Sequence, residues 1–151
     1  MHRPTLAALA AMASILATPA TFAQEQPAVA ATKAPAFKAH VLNRAEFDTL
    51  LAHPDKLLVI DVRRPDELTT IGGFPVYLSV QLSELEKSVA WIPKDRTIVT
   101  VSNHAGRGGR AADFLADHGF KVAGTLGAQN YEAEGGKLTR IAPSAPKAAS
   151  R

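Results

Sequence analysis

The sequence predicts a three-layer α/β domain in which a central, mainly parallel sheet carries helices on both faces. Two long apolar stretches, the continuous run of residues 57–60 and residues 98–101, predict strands that are buried on both sides. Helical patterns alternate with strand patterns between residues 40 and 141, and this alternation is typical of parallel sheets with crossover helices. These roughly 100 residues are a common size for a single domain.

Three helix starts are visible in the sequence. Asn43 is followed three residues later by Glu46, which predicts a capping box at the start of the first helix. Pro65 predicts the start of a second helix, because proline is tolerated in the first turn. Ser83 and Glu86 predict a second capping box and a third helix that runs to about residue 89.

The remaining elements follow from short apolar runs and from glycine. Residues 77–80 and 120–125 predict two further strands. A helix is predicted over residues 108–118, where Gly119 ends it. Residues 129–134 predict a last short helix before a pair of glycines.

The first 23 residues have the pattern of a secretory signal peptide. A short positive start precedes an apolar run over residues 6–17, and Thr21 and Ala23 supply small residues for cleavage after Ala23. The alternative is a membrane anchor, but the run is shorter than the ~20 apolar residues that a span needs. We therefore predict a periplasmic or secreted protein with no membrane attachment after cleavage.

The segments that flank the predicted domain are poor in large apolar residues. Residues 24–39 are rich in alanine and proline and predict a linker, and residues 142–151 predict a disordered tail. The folded domain is then residues 40–141. The chain contains no cysteine, so neither a disulfide nor thiol chemistry is available to it.

The formal charge of +3 does not come from the predicted domain. Residues 40–141 carry 12 Lys and Arg against 13 Asp and Glu, so the positive excess lies in the flanking segments. This distribution argues against nucleic-acid binding. His40, His53 and His118 are scattered along the chain and predict no metal site, and nothing in the sequence predicts a cofactor.

A short loop between a buried strand and a helix carries the strongest functional signal. A loop that ends at a helix N-terminus, with an arginine at its edge, can hold an anion. The six residues of this loop are Ser102, Asn103, His104, Ala105, Gly106 and Arg107.

This loop and several other segments resemble the rhodanese (sulfurtransferase) family in their order and spacing. The residues that carry the resemblance are 57–63, 65–67, 72–75, 82–85, 102–107, 111–115, 118–120 and 126–128 with Tyr131. The resemblance implies a rhodanese-like fold. It also implies that position 102 corresponds to the cysteine that carries sulfur as a persulfide in active members, held by backbone N–H groups and the loop arginine.

Three residues depart from the family pattern near this loop. Ser102 replaces the cysteine, and a hydroxyl is far less acidic than a thiol of pKa ~8.5 and cannot accept a sulfane sulfur. Ala105 replaces a glycine, so we expect Gly106 to supply the backbone flexibility that alanine lacks. Gly73 stands where the family usually has histidine.

The other candidate residues have predicted roles that leave alternatives open. Arg107 either binds an anion through two hydrogen bonds or pairs with a carboxylate that holds the loop shut. His104 is the one candidate base near Ser102, although an exposed histidine is the better interpretation. Asp61 and Arg63 are predicted to support neighbouring loops as an ion pair.

These observations lead to three hypotheses of different classes. The first is a rhodanese homologue without sulfurtransferase activity that binds a small oxyanion or an acidic protein partner. The second is an enzyme, either assisting a partner sulfurtransferase or acting as a weak serine hydrolase through Ser102. The third is an interaction module with no small ligand. The oligomeric state is left open.

Overall fold

The computed structural model describes residues 36–142. The predicted signal peptide, most of the predicted linker and residues 143–151 lie outside the described residues. Short 3₁₀ turns, Leu82–Glu84 and Val89–Trp91, flank the third helix. In chain order the elements are α1 (Arg44–Leu51), β1 (Leu57–Asp61), α2 (Pro65–Ile71), β2 (Leu78–Ser79), α3 (Leu85–Ser88), β3 (Thr97–Ser102), α4 (Gly106–Asp117), β4 (Val122–Gly127) and α5 (Ala128–Ala133).

The four strands form one parallel sheet in the order β2-β1-β3-β4. Asp61 pairs in register with Val101, and Ser102 pairs with Gly127, so the carboxyl ends of β1, β3 and β4 lie at one edge. The chain leaves β1 toward β2 and leaves β3 toward β4, in opposite directions. The gap between the carboxyl ends of β1 and β3 is therefore the switch point at which ligands bind in open α/β sheets.

Helices cover both faces of the sheet, which confirms the predicted three layers. On one face, Phe47 of α1, Phe74 and Tyr131 of α5 pack edge to face, with ring centroids 4.8 to 5.7 Å apart. On the other face, Leu85 of α3 and Leu115 of α4 pack in a second cluster. Because every strand but β2 is largely buried on both sides, the sheet is the middle layer of the domain.

The predicted start of α1 is confirmed and the predicted start of α3 is wrong. The Asn43 side chain accepts the Glu46 N–H at 3.0 Å, and the Glu46 carboxylate accepts the Asn43 N–H at 2.8 Å. At α3, by contrast, a 3₁₀ turn already occupies Ser83, and the helix begins at Leu85 without a side-chain cap. A capping pattern predicts a helix start only where the next residues continue in α geometry.

One other local prediction differs from the structure. The strand predicted over residues 77–80 is reduced to Leu78–Ser79. After α3, Trp91 is 82% exposed, whereas its neighbour Ile92 is buried. Trp91 ends a 3₁₀ turn and Ile92 is already extended, so the two side chains cannot share one direction.

Residues 37–39, at the end of the predicted linker, contact α4. The N–H groups of Lys38 and Ala39 each donate to the Asp113 carboxylate at 2.8 Å. The Phe37 ring lies so close to Gly109 that a Cβ there would overlap it. Among the described helices, none is long and apolar enough to cross a membrane.

Candidate anion site at the switch point

Ser102 ends β3 and is buried, with 1% of its surface exposed. Its Oγ accepts a hydrogen bond from the backbone N–H of Gly108 at 3.0 Å. Gly108 lies in the first turn of α4, where N–H groups have no acceptor inside the helix. Since Ala105 at the N-cap has no side-chain acceptor, the Ser102 hydroxyl takes over that capping role.

Ala105 adopts the left-handed conformation that a glycine would take at this position. Its φ is +63° and its ψ is −20°, whereas Gly106 does not have a positive φ. The expectation that Gly106 supplies the flexibility is therefore wrong. An alanine in this conformation costs about 1–2 kcal/mol. Burial of its methyl group, 3% exposed, offsets part of that cost.

The first turn of α4 lies directly on the sheet. A Cβ on Gly108 would overlap the Thr125 hydroxyl of β4, so only glycine permits this approach. The Thr100 hydroxyl donates to the Gly108 carbonyl at 2.8 Å, and the Thr125 hydroxyl donates to the Thr100 carbonyl at 3.2 Å. These buried bonds fix the height of the loop above the strand ends.

Arg107 is paired with a carboxylate, the second of the two roles left open by the sequence. Its Nη1 and Nη2 donate to the two oxygens of Glu67 at 2.8 and 2.5 Å. Glu67 comes from α2 and also accepts from Asn103 Nδ2 at 2.6 Å and from the Arg64 N–H at 3.0 Å. Glu67 thus joins the loop after β1 to the loop after β3 across the switch point.

The electrostatics of this pair follow from its contacts. Hydrogen bonding to Arg107 is the main reason why the pKa of Glu67 falls from 4.5 to about 2, with a smaller contribution from the Arg64 N–H. The same contact raises the pKa of Arg107. Both groups are therefore charged at neutral pH, and the positive charge of the loop arginine is already balanced.

Asp61 and Arg63 form a fully buried ion pair at the end of β1, each side chain 0% exposed. Arg63 Nη2 donates to Asp61 Oδ2 at 2.7 Å, and Nε donates to Oδ1 at 2.9 Å. Nη2 also reaches the Gly72 carbonyl at 2.9 Å, which holds the chain after α2. Within the described residues Arg63 Nη1 has no hydrogen-bond partner.

His104 does not contact Ser102 through a hydrogen bond. Its ring is exposed, and Nδ1 lies 3.1 Å from the Asn130 side-chain oxygen on α5. The Ser102 hydroxyl is instead engaged with Gly108. The geometry therefore lacks the nucleophile–base contact that a serine hydrolase requires.

Four backbone N–H groups of the loop have no acceptor among residues 36–142: those of Asn103, His104, Ala105 and Arg107. They lie at the N-terminus of α4, where the helix dipole favours negative charge. An anion could accept from them without displacing any protein hydrogen bond. No group of three His, Asp or Glu side chains in the described part of the chain is placed to hold a metal ion.

Glu67 belongs to a segment that carries the family resemblance, but it was not assigned to the site from the sequence. It lies 40 residues before Arg107, and a carboxylate in a helix start is normally explained by capping alone. The available signal was its position shortly after Asp61-Val62-Arg63, because α2 begins at the same edge of the sheet as the loop.

Comparison with solved structures identifies the fold. A rhodanese-related protein of Thermoplasma volcanium superposes with a TM-score of 0.59 at 24% identity, over 68% of this chain and 99% of that one. The fold of the domain is rhodanese-like. A rhodanese-like domain protein of Staphylococcus aureus has a TM-score of 0.54 at 15% identity, over 60% of this chain and 89% of that one.

One further solved structure with this fold carries a different description. A Rhodopseudomonas palustris protein of unknown function, described as a possible tyrosine phosphatase, has a TM-score of 0.58 at 23% identity, over 66% of this chain and 84% of that one. No family model and no curated protein matches the sequence. The rhodanese-like assignment therefore rests on the fold, and the activity has to be argued from the site.

Proposed function

We propose that this rhodanese-like domain is a binding module without sulfurtransferase activity. The observation that carries the proposal is the Ser102 hydroxyl, which is buried and serves as the cap of α4. Sulfur transfer through a persulfide needs a thiolate, and a serine provides none. The chain has no cysteine elsewhere that could replace it.

The ligand is proposed to be a small oxyanion or an acidic side chain of a protein partner. The free N–H groups of His104, Ala105 and Arg107 would donate to its oxygens at the N-terminus of α4. Glu67 competes with such a ligand, because its carboxylate occupies both Nη atoms of Arg107. Release of Arg107 from Glu67 would therefore strengthen binding.

The signal-like residues 1–23 support the further proposal that the protein is exported to the periplasm or secreted.

Removal of the competing carboxylate is expected to strengthen anion binding. In Glu67→Gln, Arg107 becomes available to the ligand, and a charge-assisted hydrogen bond contributes about 1.5–3 kcal/mol, or about tenfold or more in affinity. Arg107→Ala should abolish binding, since it leaves the Glu67 charge beside the loop. The measurement is sulfate titration followed by the amide shifts of residues 103–108, with chloride at equal ionic strength as reference.

Arg110→Ala is the matched control, because Arg110 is exposed on the next turn of α4. It should bind sulfate as the wild type does. If Glu67→Gln and Arg107→Ala bound sulfate with equal affinity, or if the amide shifts were spread evenly over the domain, the loop would not be the binding site.

A further inference from the structure

An apolar groove of about 410 Å³ lies beside the N-terminal half of β1 and shares no lining residue with the 102–107 loop. Its walls are aliphatic and aromatic side chains, with a single charged residue at the rim. Val76, 76% exposed, stands at its edge. The residues that matter here are Leu51, Leu57, Val59, Val76, Tyr77 and Arg96.

The groove exists because β2 is too short to cover β1. β1 has five residues, but only Ile60 and Asp61 pair with β2. Before Leu78 the chain turns away, so within the described part of the chain the edge of β1 beside Leu57 and Val59 has no neighbouring strand. On the opposite side, β1 is paired with β3 along its whole length.

The backbone of β1 has unused hydrogen-bonding groups on this edge. Lys56 accepts from Thr97, and Val62 donates to Val101, so the even-numbered residues face β3. Asp61 accepts from Val80, so the odd-numbered residues face the other side. The N–H groups of Leu57 and Val59 and the Leu57 carbonyl therefore face the groove. None of the three has a hydrogen-bond partner within residues 36–142.

Both residues are nonetheless buried, Leu57 to 7% and Val59 to 4% exposure. Buried backbone groups in proteins are almost always paired. An extended segment lying in the groove would pair them as an added strand, and its alternate side chains would enter the apolar walls. Arg96, at the rim, forms no ion pair with the residues described and would meet a carboxylate of that segment.

The chain's own flanking segments do not match this chemistry. Outside residues 36–142 its one acidic side chain is Glu25, which is followed by Gln26 and Pro27 rather than by apolar residues. Residues 143–151 contain two prolines, which lack the N–H that strand pairing needs, and no acidic side chain. We propose that the groove binds an extended, apolar segment of a partner protein that carries one acidic residue opposite Arg96.

The test uses a synthetic, N-acetylated and C-amidated hexapeptide of alternating valine and threonine with one central glutamate. A second peptide has lysine in place of the glutamate, and a third has every backbone amide N-methylated, so that neither of its edges can pair with a strand. Each peptide carries a fluorescent label on its C-terminal amide, and its fluorescence anisotropy is followed as the full chain is added. The lysine peptide should bind at least tenfold more weakly than the glutamate peptide. The N-methylated peptide should not bind, because it cannot pair with the strand.

Two further measurements distinguish strand addition from apolar adhesion. Saturation with the glutamate peptide should slow hydrogen exchange at the N–H groups of Leu57 and Val59. Arg96→Glu should reverse the preference between the glutamate and lysine peptides, whereas Arg110→Glu should not, because Arg110 lies on α4.

Binding of the N-methylated peptide with the affinity of its parent would overturn the proposal, as would unchanged exchange at Leu57 and Val59. Concentration-dependent dimerisation that protects the same two N–H groups without peptide would also overturn it. In that case a second copy of the chain would be the occupant. None of these results depends on the 102–107 loop.

Discussion

Replacing Asp61 by asparagine is expected to lower the free energy of unfolding by about 3–5 kcal/mol. The change is nearly isosteric, but it leaves the Arg63 guanidinium buried without its counter-charge. Both side chains are 0% exposed, so water cannot compensate for the loss. The measurement is equilibrium urea unfolding at neutral pH, with the free energy extrapolated to water.

The matched control is Asp66→Asn, five residues further along the chain. Asp66 pairs with Arg64 at 2.8 Å, a distance similar to that of the buried pair, but both side chains are more than half exposed. Asp66→Asn should lower the free energy of unfolding far less than Asp61→Asn does, because water screens surface pairs. Equal losses in Asp61→Asn and Asp66→Asn would contradict the importance of burial. The double variant Asp61→Leu with Arg63→Met should regain most of the stability, since it removes both charges.

Acid is expected to weaken the fold through Glu67. Its pKa is about 2 in the folded protein and 4.5 without its partners, a depression worth about 3 kcal/mol. A carboxyl whose folded pKa is lowered stabilises the fold fully above pH 4.5. That contribution is lost as the pH falls from about 4.5 to about 2. The wild type should therefore be about 3 kcal/mol more stable than Glu67→Gln at pH 7, and the two should converge near pH 2.

Glu86→Gln is the control for this pH dependence. Glu86 is exposed on α3 and has no hydrogen-bond partner among the described residues. In Glu86→Gln the free energy of unfolding should therefore depend on pH as it does in the wild type. Urea unfolding of the three proteins at pH 2, 3, 4.5 and 7 makes the comparison. A constant difference between wild type and Glu67→Gln at every pH would show that the carboxylate charge is not what stabilises the loop.

The sequence was sufficient to predict the sheet and its layers, because that information is local. The apolar run of β1 is continuous, that of β3 is broken only by Thr100, and the Asn43 capping box is contained within four residues. α3 was harder, because its four residues are held by packing of Leu85 rather than by a capping pattern.

The sequence was sufficient to predict which loop residues form the candidate site. It was not sufficient to predict which side chains these residues contact. The 102–107 loop is contiguous, so its place between β3 and α4 could be read from the sequence. The pairing of Arg107 with Glu67 joins positions 40 residues apart, and no local pattern distinguishes that carboxylate from an external anion. The conformation of Ala105 depends on burial of its methyl group, which only the packed loop determines.

The central claim is that the loop keeps its anion-binding shape but has lost sulfur chemistry with the residue at position 102. The most direct measurement is incubation with thiosulfate followed by intact-mass analysis, beside an assay of thiocyanate formation from thiosulfate and cyanide. The wild type is predicted to gain no sulfur atom and to form no thiocyanate. Ser102→Cys is predicted to gain the mass of one sulfur atom, because Ala105 adopts the left-handed conformation and the N–H groups of His104, Ala105 and Arg107 have no acceptor among residues 36–142. Thiocyanate formation by the wild type would contradict the claim, and an unmodified Ser102→Cys would show that the loop geometry was not retained.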